Sequence, residues 1–182
     1  MDKKDIRSLS VEDLRAFFLE KGFEAFRGNQ VYEWLWKKSI KDIDQMTNIS
    51  KSIRDALKSE FVINNIEIES VQKSTDGTVK NAIKLHDGLT VESVLIPTKT
   101  RMTACISSQV GCSLDCKFCA TAQLDRMRNL NVDEIFDQVV AIDQQSKTYF
   151  DIPLSNIVFM GMGEPLMNYN NVLGVIEKIT SP

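Results

Sequence analysis

Three of the four cysteines lie within eight residues, in the stretch that runs from Gly111 to Ala120. Three residues separate Cys112 from Cys116 and two separate Cys116 from Cys119, so one loop can direct three sulfurs at a common centre. Three thiolates can hold an iron–sulfur cluster. Because such clusters are normally held by four cysteines, one iron would keep an open coordination position. The spacing therefore indicates a metal centre at which chemistry could take place.

Two other interpretations of these thiols stay open. A structural zinc site needs four ligands, usually as two separated pairs, and the spare candidates are Cys105 and the single histidine, His86. A disulfide framework is less favourable, because neighbouring cysteines on one short loop without a secretory context are poorly suited to it. From the residues alone, a cluster, a zinc site and a set of buried thiols are all compatible with the pattern.

A second segment that could do chemistry follows a strand expected at residues 156–160 and has the sequence Gly161-Met162-Gly163-Glu164-Pro165. Glycine lets a backbone approach a ligand closely, and a carboxylate at a strand end can accept hydrogen bonds from an ammonium group. The motif is weak by itself, because a glycine–proline turn with an exposed glutamate is common. Its position one βα unit after the cysteine loop strengthens it.

Two single residues are further candidates. Glu92 lies in a largely apolar run, where a carboxylate is costly unless it has a partner or a function. Pattern alone favours a solvent-facing strand residue for Glu92. Cys105 fits a small buried residue of a strand, since free cysteines are often just that.

The elements that must position these residues begin with a helical domain at residues 1–62, for which three short amphipathic helices are predicted. Ser10 and Asp13 have the spacing of a capping box at the start of the first helix. A third helix is expected to begin near Ser50. The second, over about residues 29–38, has an apolar stripe of Val31, Trp34 and Leu35.

An aromatic and basic group of residues lies in the same region: Arg27, Tyr32, Trp34, Trp36, Lys37 and Lys38. Such a group could bind RNA, because aromatic rings stack on unpaired bases and cations contact phosphate. The simpler interpretation is that Trp34 belongs to the core and that the lysines solvate a helix.

Residues 63–100 predict an antiparallel β extension, with hairpin signals at Asp76-Gly77 and Asp87-Gly88 between three strand-like runs. Residues 101–182 predict a strand over residues 103–109, the cysteine loop (from Gly111), a helix, a strand, the glycine loop (Gly161–Pro165) and a last helix. This is the βαβα order of a parallel α/β layer. Ligands of such sheets bind outside the carboxyl ends of the strands. We therefore expect the cysteine loop and the glycine loop to meet.

Composition limits the partners. The 22 basic and 25 acidic residues give a formal charge of −3, so any contact with nucleic acid needs a local patch. A hydrophobic fraction of 43% with 26% charged residues is ordinary for a soluble globular protein. No apolar run approaches the roughly 20 residues of a membrane helix, and the start lacks a signal peptide. These features predict a cytoplasmic protein without a membrane partner.

Several motifs, in the same order along the chain, resemble the RlmN/Cfr family of RNA methyltransferases in the radical S-adenosylmethionine (radical SAM) class. They are the cysteine spacing with Phe118 before the last cysteine, and the segments Cys105–Gly111, Ala120–Gln123, Arg128–Leu130 and Phe159–Asn168. The match runs from about Val91 onward, and Gly28-Asn29-Gln30 fits the family's accessory domain. Ile96-Pro97 and Pro165 are typical of the adenine-C2 branch, and the Cfr-type adenine-C8 methyltransferase is the alternative.

The resemblance implies roles for seven residues. Cys112, Cys116 and Cys119 would ligate a [4Fe-4S] cluster, and the cofactor S-adenosyl-L-methionine would contact Gly163 and Glu164. Glu92 matches the position of a proton acceptor. Cys105 matches the cysteine that resolves a covalent RNA–protein intermediate by forming a disulfide with a methyl-carrying cysteine. The implied fold is α/β: the first βα units of an incomplete partial TIM-type barrel, after a small helical domain that contacts RNA and a short β meander.

The implied activity is methylation of C2 of an adenosine in 23S ribosomal RNA and in tRNA, through a methyl-cysteine and a 5'-deoxyadenosyl radical. The implied partners are these RNAs and an electron donor such as flavodoxin or ferredoxin, and the expected state is a monomer. One departure matters: the family's carrier cysteine lies late in a longer chain, and no cysteine follows Cys119 here. We therefore expect an amino-terminal fragment that holds a cluster but does not methylate RNA alone. The rival hypothesis is a non-catalytic iron–sulfur or zinc RNA-binding module.

Overall fold

The computed structural model describes residues 3–180. It contains two compact units, with the boundary between Asn64 and Asn65. The division of the chain into three parts at residues 62 and 100 stays a prediction, although strands from both sides of residue 100 share one sheet. None of the helices in the described range is long and apolar enough to span a membrane.

The first unit is helical. Its elements are β1 (Lys4–Asp5), α1 (Val11–Glu20), α2 (Phe26–Trp36), α3 (Lys51–Glu60) and β2 (Phe61–Val62), and β1 pairs with β2 in parallel. The capping box is confirmed: Ser10 Oγ accepts from the Asp13 amide at 3.0 Å and the Asp13 carboxylate accepts from the Ser10 amide at 2.9 Å. Ser50 caps α3 by accepting from the Ile53 amide at 3.4 Å. Local side-chain chemistry therefore sets where these two helices begin.

The predicted apolar stripe of α2 was wrong at Trp34, which is only half-buried. Its ring nitrogen donates to Asn48 Oδ1 at 2.5 Å, and the Lys38 ammonium lies 3.5 Å from the ring centroid. Trp36 is the tryptophan in the core. Apolar residues after the helix are buried too, so the core extends past the helix end, which a helical period does not reveal; they include Ile40, Ile43 and Met46.

The second unit is built on a five-stranded sheet. Its elements are β3 (Glu67–Lys73), β4 (Val79–Lys84), β5 (Thr90–Pro97), β6 (Met102–Cys105), β7 (Gln109–Val110), β8 (Arg128–Asn129), α4 (Val132–Phe150), β9 (Asn156–Val158) and α5 (Tyr169–Thr180). The sheet order is β3-β4-β5-β6-β9. Strands β3 to β6 are antiparallel to their neighbours, and β9 lies parallel to β6.

The predicted antiparallel meander is confirmed as β3, β4 and β5. Its turns contain Gly77 and Gly88, with φ of +88° and +85°, a region that glycine enters at little cost. The predicted βαβα order is confirmed as β6, α4, β9 and α5, because α4 connects two parallel strands. The mixed α/β architecture therefore agrees with the fold class expected from the sequence.

One strand differs from the prediction. A single run from Thr103 to Gln109 was expected, but β6 ends at Cys105. Gln109 and Val110 instead pair with Asn129 and Arg128 in a separate two-stranded ribbon of β7 and β8. The chain leaves the main sheet after Cys105, and the ribbon closes the cysteine loop at its base.

The core of the second unit lies between α4 and the sheet. Buried apolar residues from both include Ile83, Val91, Leu95, Ile135, Val139 and Ile142. Within this core, the side chains of Asn81 and Gln145 exchange two hydrogen bonds, of 2.9 and 2.7 Å. The exchange satisfies both buried amides, which would otherwise destabilise the fold.

Candidate functional site

The cysteine loop connects β7 to β8 and is closed tightly at its start. Gly111 has φ of +74°, and a Cβ at this position would lie 2.1 Å from the carbonyl oxygen of Asp125. The Met127 amide donates to the carbonyl of Val110 at 2.8 Å on the same ribbon. Only glycine permits this approach, so the two ends of the loop are held together before any ligand binds.

The three loop cysteines are free and partly exposed, whereas Cys105 is free and buried. The Leu114 amide lies 3.5 Å from Cys112 Sγ. Hydrogen bonds from the amides of Ala122 and Thr121 lower the pKa of the Cys119 thiol. Amides that point at sulfur favour the thiolate, the form in which cysteine binds metal.

This donor set fits an iron–sulfur cluster in its chemistry: three free thiols on one loop, with backbone amides directed at two of the sulfurs. Within residues 3–180, however, no three His, Cys, Asp or Glu side chains are gathered as metal ligands. The roles of Cys112, Cys116 and Cys119 stay predictions.

The glycine loop follows β9 and lies along the segment that follows β6. The Gly161 amide donates to the carbonyl of Ile106 at 3.1 Å. The carbonyl of Met162 accepts from the amides of Ser108 and Gln109 at 2.9 and 3.2 Å. Strands β6 and β9 are parallel, so their carboxyl ends and these two segments fall at one edge of the sheet.

The cysteine loop contacts the turn Pro165–Asn168, which directly follows the glycines of the glycine loop, so the two loops lie close together. Ser113 Oγ lies 3.5 Å from the sulfur of Met167, and Asn129 Nδ2 donates to the carbonyl of Met167 at 3.1 Å. The buried amide of Asn168 donates to the carbonyls of Ser108 and Leu130, both at 2.8 Å. These contacts join the turn after Glu164 to the cysteine loop, to Asn129 of β8 and to the end of the β7–β8 ribbon away from the cysteine loop.

Gly163 and Glu164 lie directly before the turn that the cysteine loop contacts. Gly163 has φ of +92°, which favours glycine. The Glu164 carboxylate accepts from the Leu166 amide at 2.9 Å and so caps the 3-10 turn Pro165–Asn168. The side chain is half-buried at the strand end, where a ligand could reach it. A contact of either residue with S-adenosyl-L-methionine stays a prediction.

Glu92 and Cys105 lie on adjacent strands of the same sheet. The Glu92 side chain is 48% exposed, in agreement with the solvent-facing position that its pattern favours, and its carboxylate lies 2.6 Å from the Lys80 ammonium. Burial raises the pKa of the Cys105 thiol, against the opposing effect of a hydrogen bond from the Met160 amide. Cys105 is therefore held as a neutral thiol near neutral pH.

The sequence assigned no role to two basic residues of this region: Lys80, which it did not single out, and Arg128, which it named only as part of a motif. Lys80 pairs with Glu92 because the β4–β5 register sets them on neighbouring positions of one face. Arg128 makes two hydrogen bonds of 2.7 Å to the buried carboxylate of Glu134 and one of 2.7 Å to Asp87. Hydrogen bonding to Glu134 is the main cause that raises the pKa of Arg128. A register worked out from the hairpin turn between β4 and β5 could have predicted that Lys80 lies beside Glu92.

The aromatic and basic group of the helical unit is only partly available to a ligand. Trp36 is buried, whereas Trp34 is half-buried under the Lys38 ammonium. Phe26, which is not a member of the predicted group, is exposed, and the Arg27 guanidinium lies 4.7 Å from its ring centroid. Exposed ring faces beside cations remain on this unit.

Comparison with protein families gives two matches. The family described as "Ribosomal RNA large subunit methyltransferase N-terminal domain" matches residues 4–63, and the radical SAM superfamily matches residues 106–181. The first match covers most of the helical unit. The second begins one residue after Cys105 and includes both loops.

Curated relatives match over the whole chain. The probable dual-specificity RNA methyltransferase RlmN of Christiangramia forsetii is 70% identical over 180 residues, which are 99% of this chain and 51% of the relative. The dual-specificity RNA methyltransferase RlmN of Geotalea uraniireducens is 44% identical over 182 residues, 100% of this chain and 51% of the relative. The chain thus spans about half the length of the curated relatives it matches.

A solved structure supports the fold. The crystal structure of a radical SAM methyltransferase from Sphaerobacter thermophilus aligns with a TM-score of 0.82 at 31% identity. The alignment covers 97% of this chain and 52% of that one. Both units of the chain therefore have counterparts in a solved protein.

Proposed function

The chain belongs to the RlmN family of radical SAM methyltransferases, and from this membership we propose that it carries the cluster-binding loop and part of the S-adenosyl-L-methionine site of an RNA methyltransferase. The proposed reaction is methylation of C2 of an adenosine in 23S ribosomal RNA and in tRNA, through a methyl-cysteine and a 5'-deoxyadenosyl radical. The single observation that carries the proposal is that the cysteine loop contacts the turn after Glu164, beyond the carboxyl ends of the parallel strands β6 and β9.

Cys112, Cys116 and Cys119 would hold a [4Fe-4S] cluster through three irons. When bound, such a cluster would supply the electron that cleaves S-adenosyl-L-methionine, after receiving it from a donor such as flavodoxin or ferredoxin. A low thiol pKa favours metal binding by the thiolate, and the amides directed at Cys119 lower the pKa of its thiol. The protein's part is to position the cofactor and to exclude competing reactions.

Gly163 and Glu164 would bind the methionyl end of S-adenosyl-L-methionine. Because Gly163 has no side chain, the ligand can approach the backbone closely. The Glu164 carboxylate would accept hydrogen bonds from the ligand's ammonium group, and such charge-assisted hydrogen bonds are stronger than neutral ones. The turn that Glu164 caps would keep the carboxylate at the strand end.

Glu92 would accept the proton that leaves adenine C2, and Cys105 would resolve the covalent intermediate. The Glu92 carboxylate lies 2.6 Å from the Lys80 ammonium on the partly exposed face of the sheet. Cys105 would need a partner thiol that carries the methyl group, and this sequence has no cysteine after Cys119. We therefore expect no RNA methylation by residues 1–182 alone, and transfer of a methyl group to any RNA by them would contradict this expectation.

Anaerobic reconstitution of the purified chain with iron and sulfide tests the proposal. EPR of the reduced sample is recorded with and without S-adenosyl-L-methionine. A [4Fe-4S] signal that shifts on addition of the ligand supports an open iron and the radical SAM assignment of the three cysteines. Tight binding of zinc without cluster formation would contradict it and favour a non-catalytic RNA-binding module.

A further inference from the structure

The segment between β6 and the cysteine loop carries polar side chains to which the proposed function gives no role. Ser107 and Gln109 are both 0% exposed. A buried hydroxyl or amide destabilises the folded state unless its hydrogen bonds are satisfied. The partners of these two side chains therefore show what the segment holds in place.

The Ser107 hydroxyl joins two parts of the candidate site. It accepts from the Met162 amide at 2.8 Å and donates to the backbone carbonyl of Glu92 at 2.5 Å. Its own backbone is held by Gln138 of α4, which accepts from the Ser107 amide at 2.9 Å and donates to the Ser107 carbonyl at 3.2 Å. One hydroxyl thus connects the glycine loop to the strand of Glu92.

Gln109 makes the corresponding connection to the base of the cysteine loop. Its side-chain oxygen accepts from the Glu164 amide at 2.9 Å, and its Nε2 donates to Asn129 Oδ1 at 2.8 Å. Asn129 in turn donates to the carbonyl of Met167. The side chain of Gln109 therefore lies between the backbone of Glu164 and the β7–β8 ribbon.

The two glycines of the loop pack directly on these side chains. A Cβ on Gly161 would lie 2.7 Å from Ser107 Oγ, and a Cβ on Gly163 would lie 2.4 Å from Gln109 Cβ. Either side chain would therefore have to move if its glycine were substituted. Gly161 thus packs on residues 106 and 107, and Gly163 packs on Gln109.

We propose that Ser107 and Gln109 are positioning residues that set the register of the glycine loop on the segment leading into the cysteine loop. Their side chains accept hydrogen bonds from the amides of Met162 and Glu164. These bonds fix the backbone position from which the Glu164 side chain extends. The positions of Gly163 and Glu164 relative to a ligand bound at the cysteine loop are then fixed. The role in ligand binding rests on the proposed function, whereas the role in loop register does not.

Two variants test the proposal in the full 182-residue chain. S107A removes one oxygen, and Q109L replaces the amide with an apolar group of similar size. The rates of amide hydrogen exchange at Met162 and Glu164, measured by NMR on the cluster-free chain, show whether the glycine loop keeps these hydrogen bonds. EPR titration of the reconstituted chain reports the affinity for S-adenosyl-L-methionine.

We expect exchange to accelerate at Met162 in S107A and at Glu164 in Q109L. The affinity for S-adenosyl-L-methionine should fall about tenfold to a hundredfold in each, the usual effect of removing a residue that supports a ligand-binding group. Q145L is the matched control, because it breaks the equally buried amide pair with Asn81 away from both loops. It should lower thermal stability without changing either readout. If Q109L fails to fold, the exchange rate and ligand affinity of S107A test the proposal alone.

Three results would separate the possibilities. Unchanged exchange at both amides in the variants would overturn the proposal, whatever the ligand does. Faster exchange with unchanged affinity would overturn the role in ligand binding. Faster exchange in the variants together with no ligand response in the parent chain would leave the register role standing and would count against the proposed function instead.

Discussion

Glu92 and Cys105 project from the same face of the five-stranded sheet. Cys105 pairs with Val94, and Glu92 precedes Val94 by two residues, so the alternation of side chains along a strand places both on one side. The opposite faces of β4 and β5 carry the buried residues Val79, Ile83, Val91 and Leu95. The proposed proton acceptor and the proposed resolving thiol therefore share the face that is not packed against α4.

Substitution of Glu92 should separate activity from stability. Because both side chains of the Glu92–Lys80 pair are about half exposed, E92Q and K80M should each change the free energy of unfolding by less than about 1 kcal/mol. Cluster formation should also be unchanged. In a methylation-competent protein that contains this chain, E92Q should nevertheless abolish adenosine methylation. Urea unfolding and a methylation assay check the two parts, and full activity of E92Q would refute the assigned role.

Serine substitutions in the cysteine loop should each prevent assembly of the cluster. C112S, C116S and C119S each remove one of three thiolates, so iron content and the EPR signal after reconstitution should be lost. C105S is the control, because Cys105 lies on β6 outside the loop and should leave the cluster intact. Loss of the cluster in C105S, or its retention in a loop variant, would show that the ligand set is different.

Gly163 and Gly88 offer a matched pair of substitutions. Both have positive φ, but a Cβ on Gly88 would meet nothing within 4 Å, whereas a Cβ on Gly163 would lie 2.4 Å from Gln109 Cβ. G88A should therefore cost only the backbone strain of about 1 kcal/mol. G163A should cost more in chemical denaturation and should also weaken S-adenosyl-L-methionine binding. Equal losses for the two variants would argue against close packing of the glycine loop.

Asp87 should contribute to acid sensitivity. Partial burial acts to raise the pKa of this carboxyl, but the hydrogen bond from the Leu89 amide and the Arg128 guanidinium outweigh it, so the pKa lies below its ordinary value. A lowered folded pKa means that the stabilisation is present above the unfolded pKa and is lost as pH falls through the folded one. D87N should therefore lose less stability than the parent chain between pH values of about 5 and 3. Urea titrations at each pH provide the comparison.

Thiol alkylation should distinguish the buried cysteine from the other three. Burial slows access to Cys105 and raises the pKa of its thiol, whereas Cys112, Cys116 and Cys119 are partly exposed. In the reduced, cluster-free chain, iodoacetamide should label the loop cysteines first and Cys105 last, as followed by peptide mass spectrometry. Adding urea should remove the difference. Early labelling of Cys105 in the native chain would show that β6 is more open than its contacts indicate.

Local chemistry in the sequence determined most of the elements. The Ser10–Asp13 capping box, the Asp-Gly turns before β4 and β5, and the order of strands and helices after residue 100 were all readable, because each depends on neighbours in the chain. The expected meeting of the two loops followed from a general rule about parallel strands. The sequence therefore predicted which two loops lie close together, whereas the roles of their residues stay predictions.

The tertiary structure alone decided which side chains hold those loops together. Ser107 and Gln109 are uncharged members of a predicted strand, and only their contact with a segment some 55 residues away shows what their side chains hold. The pairing of Lys80 with Glu92 needed the strand register, and the choice of Trp36 over Trp34 for the core needed the segment after α2. Sequence patterns record periodicity and local hydrogen bonds, whereas burial and long-range pairing depend on what the folded chain brings alongside.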